Sequence, residues 1–168
     1  MQIISDGLVK ILPYSEEENI CKKFTEKDWH KIINDIDTDR ELAYITEQDK
    51  FYKAYIVKTC VNNTTIAFLL IKPESVCNKV VSIHGGGWGK SMYFSILYYR
   101  ALILMIQFLW QQGHRVRTSY HIENNRAYRF LHSIGFVKYK EIDRYIYMWI
   151  SEKRLRSSRV YRYINKLS

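Results

Sequence analysis

Residues 80–136 constrain the fold more than any other part of the chain. They read VVSIHGGGWGKSMYFSILYYRALILMIQFLWQQG and then HRVRTSYHIENNRAYRFLHSIGF. The pattern predicts a short apolar strand at Lys79–Ile83, a glycine-rich turn and a helix over 91–112 with Gly113 just past its end. A second strand over Arg115–Ile122 follows, then an Asn-rich turn and a helix over 126–133 that Gly135 terminates. Gly85, Gly86, Gly87 and Gly89 stand directly before the long helix, where backbone N–H groups and the helix dipole favour an anion.

The rest of the chain supplies a sheet for this unit to pack on. Gly7–Tyr14 reads as a strand stopped at Pro13. Ser15 and Glu18 open an amphipathic helical region that continues to about Asp37, and 37–49 is polar loop or short helix. Residues 51–72 alternate like a hairpin around Asn62-Asn63, Pro73–Asn78 reads as a loop, and Phe136–Lys140 with Tyr145–Ser151 makes a closing hairpin. Val160, Tyr161 and Ile164 are spaced for one helix face, so the basic tail 151–168 reads as a helix packed on a domain over 1–150.

The 168 residues suit one domain with a proper core. The most apolar segment, Phe94–Trp110, is interrupted by Arg100 and Gln107, which favours a buried helix over a membrane span. The N-terminus has no signal-peptide pattern. Cys21, Cys60 and Cys77 form no C-x-x-C pair, so the plain expectation is a reducing cytoplasm, without a disulfide framework or a metal site. Net charge is +9 but unevenly spread. Residues 1–50 carry 12 acids and 7 bases (net −5), and residues 51–168 carry 5 acids and 19 bases (net +14). The second half therefore favours an anionic ligand.

Three chemistries fit a glycine turn before a helix. A P-loop needs glycine where this chain has His84. The oxyanion loop of a lipase-type hydrolase matches H-G-G-G-W, but the chain has no G-x-S-x-G nucleophile elbow. The third is decided by Asn124-Asn125-Arg126-Ala127-Tyr128-Arg129-Phe130-Leu131-His132-Ser133-Ile134-Gly135-Phe136. This block resembles the N-x-x-A-x-x-x-[Y/L]-x-x-x-G-F signature of the GNAT superfamily of N-acetyltransferases, and the order of elements over residues 7–150 agrees.

The resemblance implies an α/β (α+β) fold, a single domain with a mixed, mostly antiparallel central sheet flanked by helices. It implies acetyl-CoA or another acyl-CoA as cofactor, a small-molecule or peptide amine as acceptor, and direct acyl transfer between them. Backbone groups of Val81, Ser82 and Ile83 would pair with the pantetheine arm. Gly85, Gly86, Gly87, Trp88, Gly89, Lys90 and Ser91 would hold the pyrophosphate, in one of two registers across 84–93. Asn124 would contact the cofactor, cap its helix, or do both.

Leu131 stands where the family usually has an acidic Tyr. Tyr128 is the substitute candidate for the acid, with core packing the slightly preferred role. His84 is the first choice of proton acceptor, with Glu123 and His121 as rivals. The acceptor is expected near residues 20–50 and the closing hairpin, where Glu16, Glu17, Glu18, Asp35, Asp37 and Asp39 suit a cation. A CoA-binding module without catalysis is the alternative. A basic nucleic-acid-binding protein ranks below both, for lack of a helix-turn-helix, zinc or RNP motif. No membrane partner is expected, and monomer and dimer are both open.

Overall fold

The computed structural model describes residues 3–14, 53–75, 77–87 and 92–167. The helices expected over 15–37, the polar segment to Asp49, the acidic side chains between Glu16 and Asp39, and Cys21 lie outside the described residues, as do Trp88, Gly89, Lys90 and Ser91.

Eight strands form one sheet in the order β1-β2-β3-β4-β5-β6-β8-β7. They are β1 (Ile4–Ser5), β2 (Val9–Pro13), β3 (Lys53–Thr59), β4 (Thr65–Ser75), β5 (Val80–Gly87), β6 (Arg115–His121), β7 (Val137–Ile142) and β8 (Tyr145–Trp149). Four helices are described: α1 (Met92–Gln111), α2 (Asn125–Ile134), α3 (Glu152–Ser157) and α4 (Arg159–Lys166). Every strand pair is antiparallel except β5 with β6. The mixed, mostly antiparallel sheet expected from the resemblance is therefore present. No described helix is long and apolar enough to cross a membrane.

Local chemistry explains most of these elements. The β3–β4 hairpin turns at Asn62-Asn63, where Asn63 takes φ +58°, a left-handed conformation that Asn tolerates. Thr59 and Thr64 close the turn by a 2.9 Å backbone bond. The β7–β8 hairpin turns on Asp143 and Arg144, both at positive φ, as a type I′ turn requires. Three boundaries differ from expectation. β1 precedes the first expected strand, because Asp6 accepts the Leu8 and Val9 N–H groups at 2.9 and 3.0 Å and folds the chain back on itself. β4 runs through Pro73 to Ser75 instead of ending in a loop. The register shifts between Pro73 and Ser75, and such an irregularity is where a strand tolerates a residue with no N–H. β5 continues through Gly87 instead of stopping at Ile83.

One sheet face carries the core. Val9, Ile11, Val57, Leu69, Val81 and Ile83 meet Leu97, Ala101, Met105 and Ile106 of α1. The spacing of those helix residues is one face of a 3.6-residue period. Tyr99 stacks on Phe130 of α2 with ring centroids 4.5 Å apart, and its hydroxyl lies 3.1 Å from Ser133 Oγ.

The tail folds as α3 and α4 and buries Leu155 and Ile164 against the domain. It seats where α2 ends. Gly135 has φ +110°, and a Cβ there would lie 2.7 Å from the Arg154 carbonyl oxygen. Both the conformation and the close approach therefore require glycine.

Two charged side chains are buried among the described residues, Lys58 and Arg100, each 6% exposed, and Arg100 lies on α1. Its Nε donates to Asp6 Oδ2 at 2.7 Å and its Nη1 to the Ile164 carbonyl at 3.5 Å. One side chain thus joins the first strand turn, the central helix and the last helix. Burial pushes the Asp6 carboxyl up, but the Val9 and Leu8 amides and the Arg100 guanidinium outweigh it and hold the group below its ordinary value of 3.8.

Asp6→Asn removes one charge of a buried pair and strands the other, so it is expected to cost about 3 kcal/mol in chemical denaturation. A folded-state pKa below the unfolded value adds stability that is complete above about pH 4 and is lost as pH falls through the folded value. The difference between wild type and the variant should therefore shrink below pH 4. A difference that stays constant down to pH 2 would contradict the assignment.

Candidate active site

β5 and β6 run side by side for three residues only. Val80 pairs with Arg115, Val81 with Val116 and Ser82 with Arg117. Beyond Ser82 each strand follows its other neighbour. β5 stays on β4, with His84 opposite Leu70, Gly85 opposite Leu69, Gly86 opposite Phe68 and Gly87 opposite Ala67. β6 stays on β8 as far as His121 opposite Tyr145. The sheet therefore opens into a cleft between 83–87 on one side and 118–121 on the other.

Backbone groups along an opened edge need partners. One is supplied internally: the buried Thr118 donates its Oγ1 proton to the Ile83 carbonyl at 2.8 Å. This contact sits where the strands part.

The glycines are strand, not turn, as far as Gly87. Gly85 is excluded from carrying a side chain by its neighbours. A Cβ there would meet the Phe68 carbonyl oxygen at 2.5 Å, Leu69 Cδ2 at 2.9 Å and the Tyr98 hydroxyl at 3.0 Å. Its absence of side chain thus lets β4, β5 and α1 close on one another, a packing role that the expected phosphate turn did not include. Val81 and Ile83 point into the core. Ser82 is buried and, by strand alternation, shares the opposite face with His84.

His84 is half-buried. Part of its surface stays open, but the ring is densely surrounded, and those surroundings set its proton affinity. Burial, with a smaller contribution from the Lys72 charge, pushes it down to about 4. The imidazole is therefore neutral at physiological pH.

The far wall of the cleft ends in Asn124. It is buried, and its Oδ1 accepts the Ala127 N–H at 2.8 Å as the N-cap of α2. That fixes both the start of the helix and the direction of the amide.

Leu131 lies in the core and offers no proton. Tyr128 does not share that burial. It is 45% exposed, with its ring 6.3 Å from Tyr120 and 5.6 Å from His132, so core packing is not its role. Glu123 is 70% exposed and paired with Arg144. Its N–H donates to His121 Nδ1 at 3.3 Å, and the His121 ring meets Tyr145 edge-on at 5.4 Å.

The structure thus brings Ile83, His84, Gly85, Gly86 and Gly87 onto one wall, with Val81 and Ser82 in the paired stretch before it, and His121, Glu123 and Asn124 to the end of the other. Tyr128 stands on α2, one turn past Asn124. Thr118 and Tyr98 were not singled out by the sequence reading. Thr118 carried a signal: it is a polar residue at the buried phase of Val116-Thr118-Tyr120, and such a residue needs a partner. Among the described residues no cluster of His, Cys, Asp or Glu is arranged for a metal ion.

No family model matches the sequence, and no curated protein matches it. Solved structures do. A GCN5-related N-acetyltransferase of Brucella melitensis superposes over 98% of this chain and 84% of its own, with TM-score 0.75 at 12% identity. A probable GNAT-family acetyltransferase of Chromobacterium violaceum covers 92% and 88%, with TM-score 0.73 at 14% identity. The spermidine N-acetyltransferase of Vibrio cholerae, in complex with CoA and spermine, covers 89% and 99%, with TM-score 0.63 at 13% identity. At these identities the likeness is one of fold, and the fold is that of the GNAT N-acetyltransferases.

Gly85→Ala is expected to destabilise the protein by about 1–3 kcal/mol, as overpacking does. Adding Tyr98→Phe should not restore it, because the nearest obstacle is the Phe68 carbonyl; full rescue would place the constraint on Tyr98 instead. For His84, a folded-state pKa below the unfolded value means that unfolding takes up a proton under acid conditions. Its contribution to stability should therefore fall between about pH 6.5 and 4. His84→Gln should flatten the wild-type slope of unfolding free energy in that window.

Proposed function

We propose that this chain, which carries the GNAT fold, is an acyl-CoA-dependent N-acetyltransferase acting on an amine. The observation that carries the reading is the opening of β5 from β6 after Ser82, with the N-capped Asn124 at its end. The cleft suits acyl-CoA on its own chemistry. A pantetheine arm carries amides, and the β5 edge beyond Ser82 presents backbone groups that β6 does not meet, which is how an added strand is recognised. Val81 and Ser82, expected to take part, are paired on both sides with β4 and β6, so that pairing would start at Ile83. Gly85, Gly86 and Gly87, leading into Trp88, Gly89, Lys90 and Ser91, would receive the pyrophosphate before α1.

Acetyl-CoA, when bound, supplies a thioester whose acetyl carbon an amine nitrogen can attack. The N–C bond forms as the C–S bond breaks, the amine gives up a proton and the sulfur gains one. His84 is our candidate to take the amine proton on a ring nitrogen, directly or through a water, because it is neutral over the working range. A group pushed down to about 4 is a weak base. Its task is to receive a proton as the N–C bond forms, not to strip a free ammonium beforehand. Glu123, exposed and paired with Arg144, is the rival acceptor at the end of the opposite wall. Tyr128 is our candidate to return a proton to sulfur from its phenol. The buried Leu131 at the usual acid position supports the second reading, a CoA-binding module without turnover.

Thermal denaturation with acetyl-CoA at about a hundred times its dissociation constant should show roughly 2.7 kcal/mol of added stability, and ATP should show none. No shift with millimolar acetyl-CoA would remove both readings. With an accepting amine in hand, His84→Gln should lower kcat by about a hundredfold while acetyl-CoA affinity holds. The wild-type rate should show no inflection from His84 between pH 5 and 9. A shift with CoA but no thiol release from a broad amine panel would favour the module.

A further inference from the structure

The packed tail builds a second concave surface, which runs from Tyr128, one turn past Asn124, to the far end of α2. A groove of about 890 Å³ runs between α2 and the α3–α4 tail. It centres on the C-terminal end of α2, with Gly135 and Phe136 in its lining. Asn124, at the cleft, is the opposite end of that helix, and ten helical residues at 1.5 Å each separate the two by about 15 Å.

Arg129, Lys153, Arg154 and Arg159 line the groove, and no acidic residue does. All four are exposed, and none makes an ion pair with a described residue. The only acid of the tail, Glu152, is spent on Arg156. Seating α3 against Gly135 therefore gathers like charges from two separate parts of the chain with no counter-charge. That arrangement costs repulsion unless an anion fills it. The lining adds four serines, whose hydroxyls are engaged with the backbone of α2, α3 and α4, and one exposed aromatic ring, Tyr128.

We propose that this groove binds a single-stranded nucleic acid through its phosphate backbone. Three of the four cations are arginines, whose planar forks engage phosphate oxygens in pairs. The exposed Tyr128 ring at the groove edge offers a face on which a base can stack. Stacking is what separates this ligand from an acidic peptide, which would use the charge and leave the ring idle.

The test is fluorescence anisotropy of the full chain with a labelled single-stranded RNA of about twelve nucleotides and mixed sequence. Binding should weaken linearly in log salt with a slope of about −2 to −3, as expected for three or four neutralised phosphates. The double variant R129Q/R159Q should reduce that slope by about 1.4 and weaken binding about tenfold near 0.1 M salt. Its melting temperature should match wild type, since both side chains are exposed. Absence of binding at about 50 mM salt, or an affinity unchanged by the double variant, would overturn the proposal. So would displacement of the RNA by a poly-glutamate peptide of equal charge as effectively as by unlabelled RNA, which would assign the groove to acidic protein. Displacement by acetyl-CoA would place the RNA in the cleft and overturn it equally.

Discussion

The whole arrangement depends on two parallel strands that pair for three residues and then part. A parallel pair needs a long crossover between its strands, and α1 supplies it, packed on the core face of the sheet. Each strand is then held by its outer neighbour, β5 by β4 and β6 by β8. Because the neighbours hold them, the strands diverge without fraying, and the twist of a sheet makes such divergence natural. The cost is a set of backbone groups deprived of ladder partners. Thr118 covers the first of them, the Ile83 carbonyl. Beyond it β6 no longer meets β5, so the feature that weakens the sheet is also the one that opens the proposed ligand site.

Keeping the cleft open requires rigidity behind it, and α1 provides that from both ends of the chain. Arg100 reaches Asp6 at the first turn and Ile164 in the last helix. Gly85 lets the strand that forms one cleft wall lie directly under Tyr98. A larger residue at either contact would move β5 relative to α1 and change the width of the opening. The tail belongs to the same construction. It docks where Gly135 ends α2, and the opposite end of α2 is the Asn124 cap. Tail, helix and cleft wall are thus one mechanical unit.

Much of this was legible in the sequence, for identifiable reasons. The first hairpin turn announces itself through Asn62-Asn63, because few residues accept positive φ; the second, at Asp143 and Arg144, was legible only from the strands on either side. Asn124 and Gly135 bracket α2 by the chemistry of helix ends. The long helix shows in its apolar periodicity. Missed features depend on contacts distant in sequence. Gly85, Gly86 and Gly87 read as a turn because glycine is a poor strand former. Only the approach of Phe68 and Tyr98, 17 and 13 positions away, makes Gly85 the right strand residue. Pro73 read as a strand end because a lost N–H normally ends pairing, and the irregularity that absorbs it is a property of the β4–β5 register. Arg100 read as an interruption of an apolar helix, and its partner lies 94 positions away. At the site, residue types pointed to the cleft, but strand alternation and burial decide which side chains face it. Leu131 and Tyr128 are three residues apart on one helix, yet one is core and the other 45% exposed.

The electrostatics of the cleft bear on how any proton would move there. His84 has a surrounded ring and the Lys72 charge nearby, and both disfavour an imidazolium. The same surroundings disfavour an ammonium brought next to it. On the proposed reading, a cationic amine entering the cleft would meet desolvation and the Lys72 charge near His84. Both would favour loss of its proton before the nitrogen reached an acyl carbon. In such a cleft the nucleophile is prepared by its environment as much as by any base. The demand on His84 then falls to the moment of bond formation, when the nitrogen becomes acidic enough for a weak acceptor to suffice. Leu131 bears on the other half of the transfer, the proton that the leaving sulfur must gain, and on the proposed reading that proton would come from Tyr128 on the same helix.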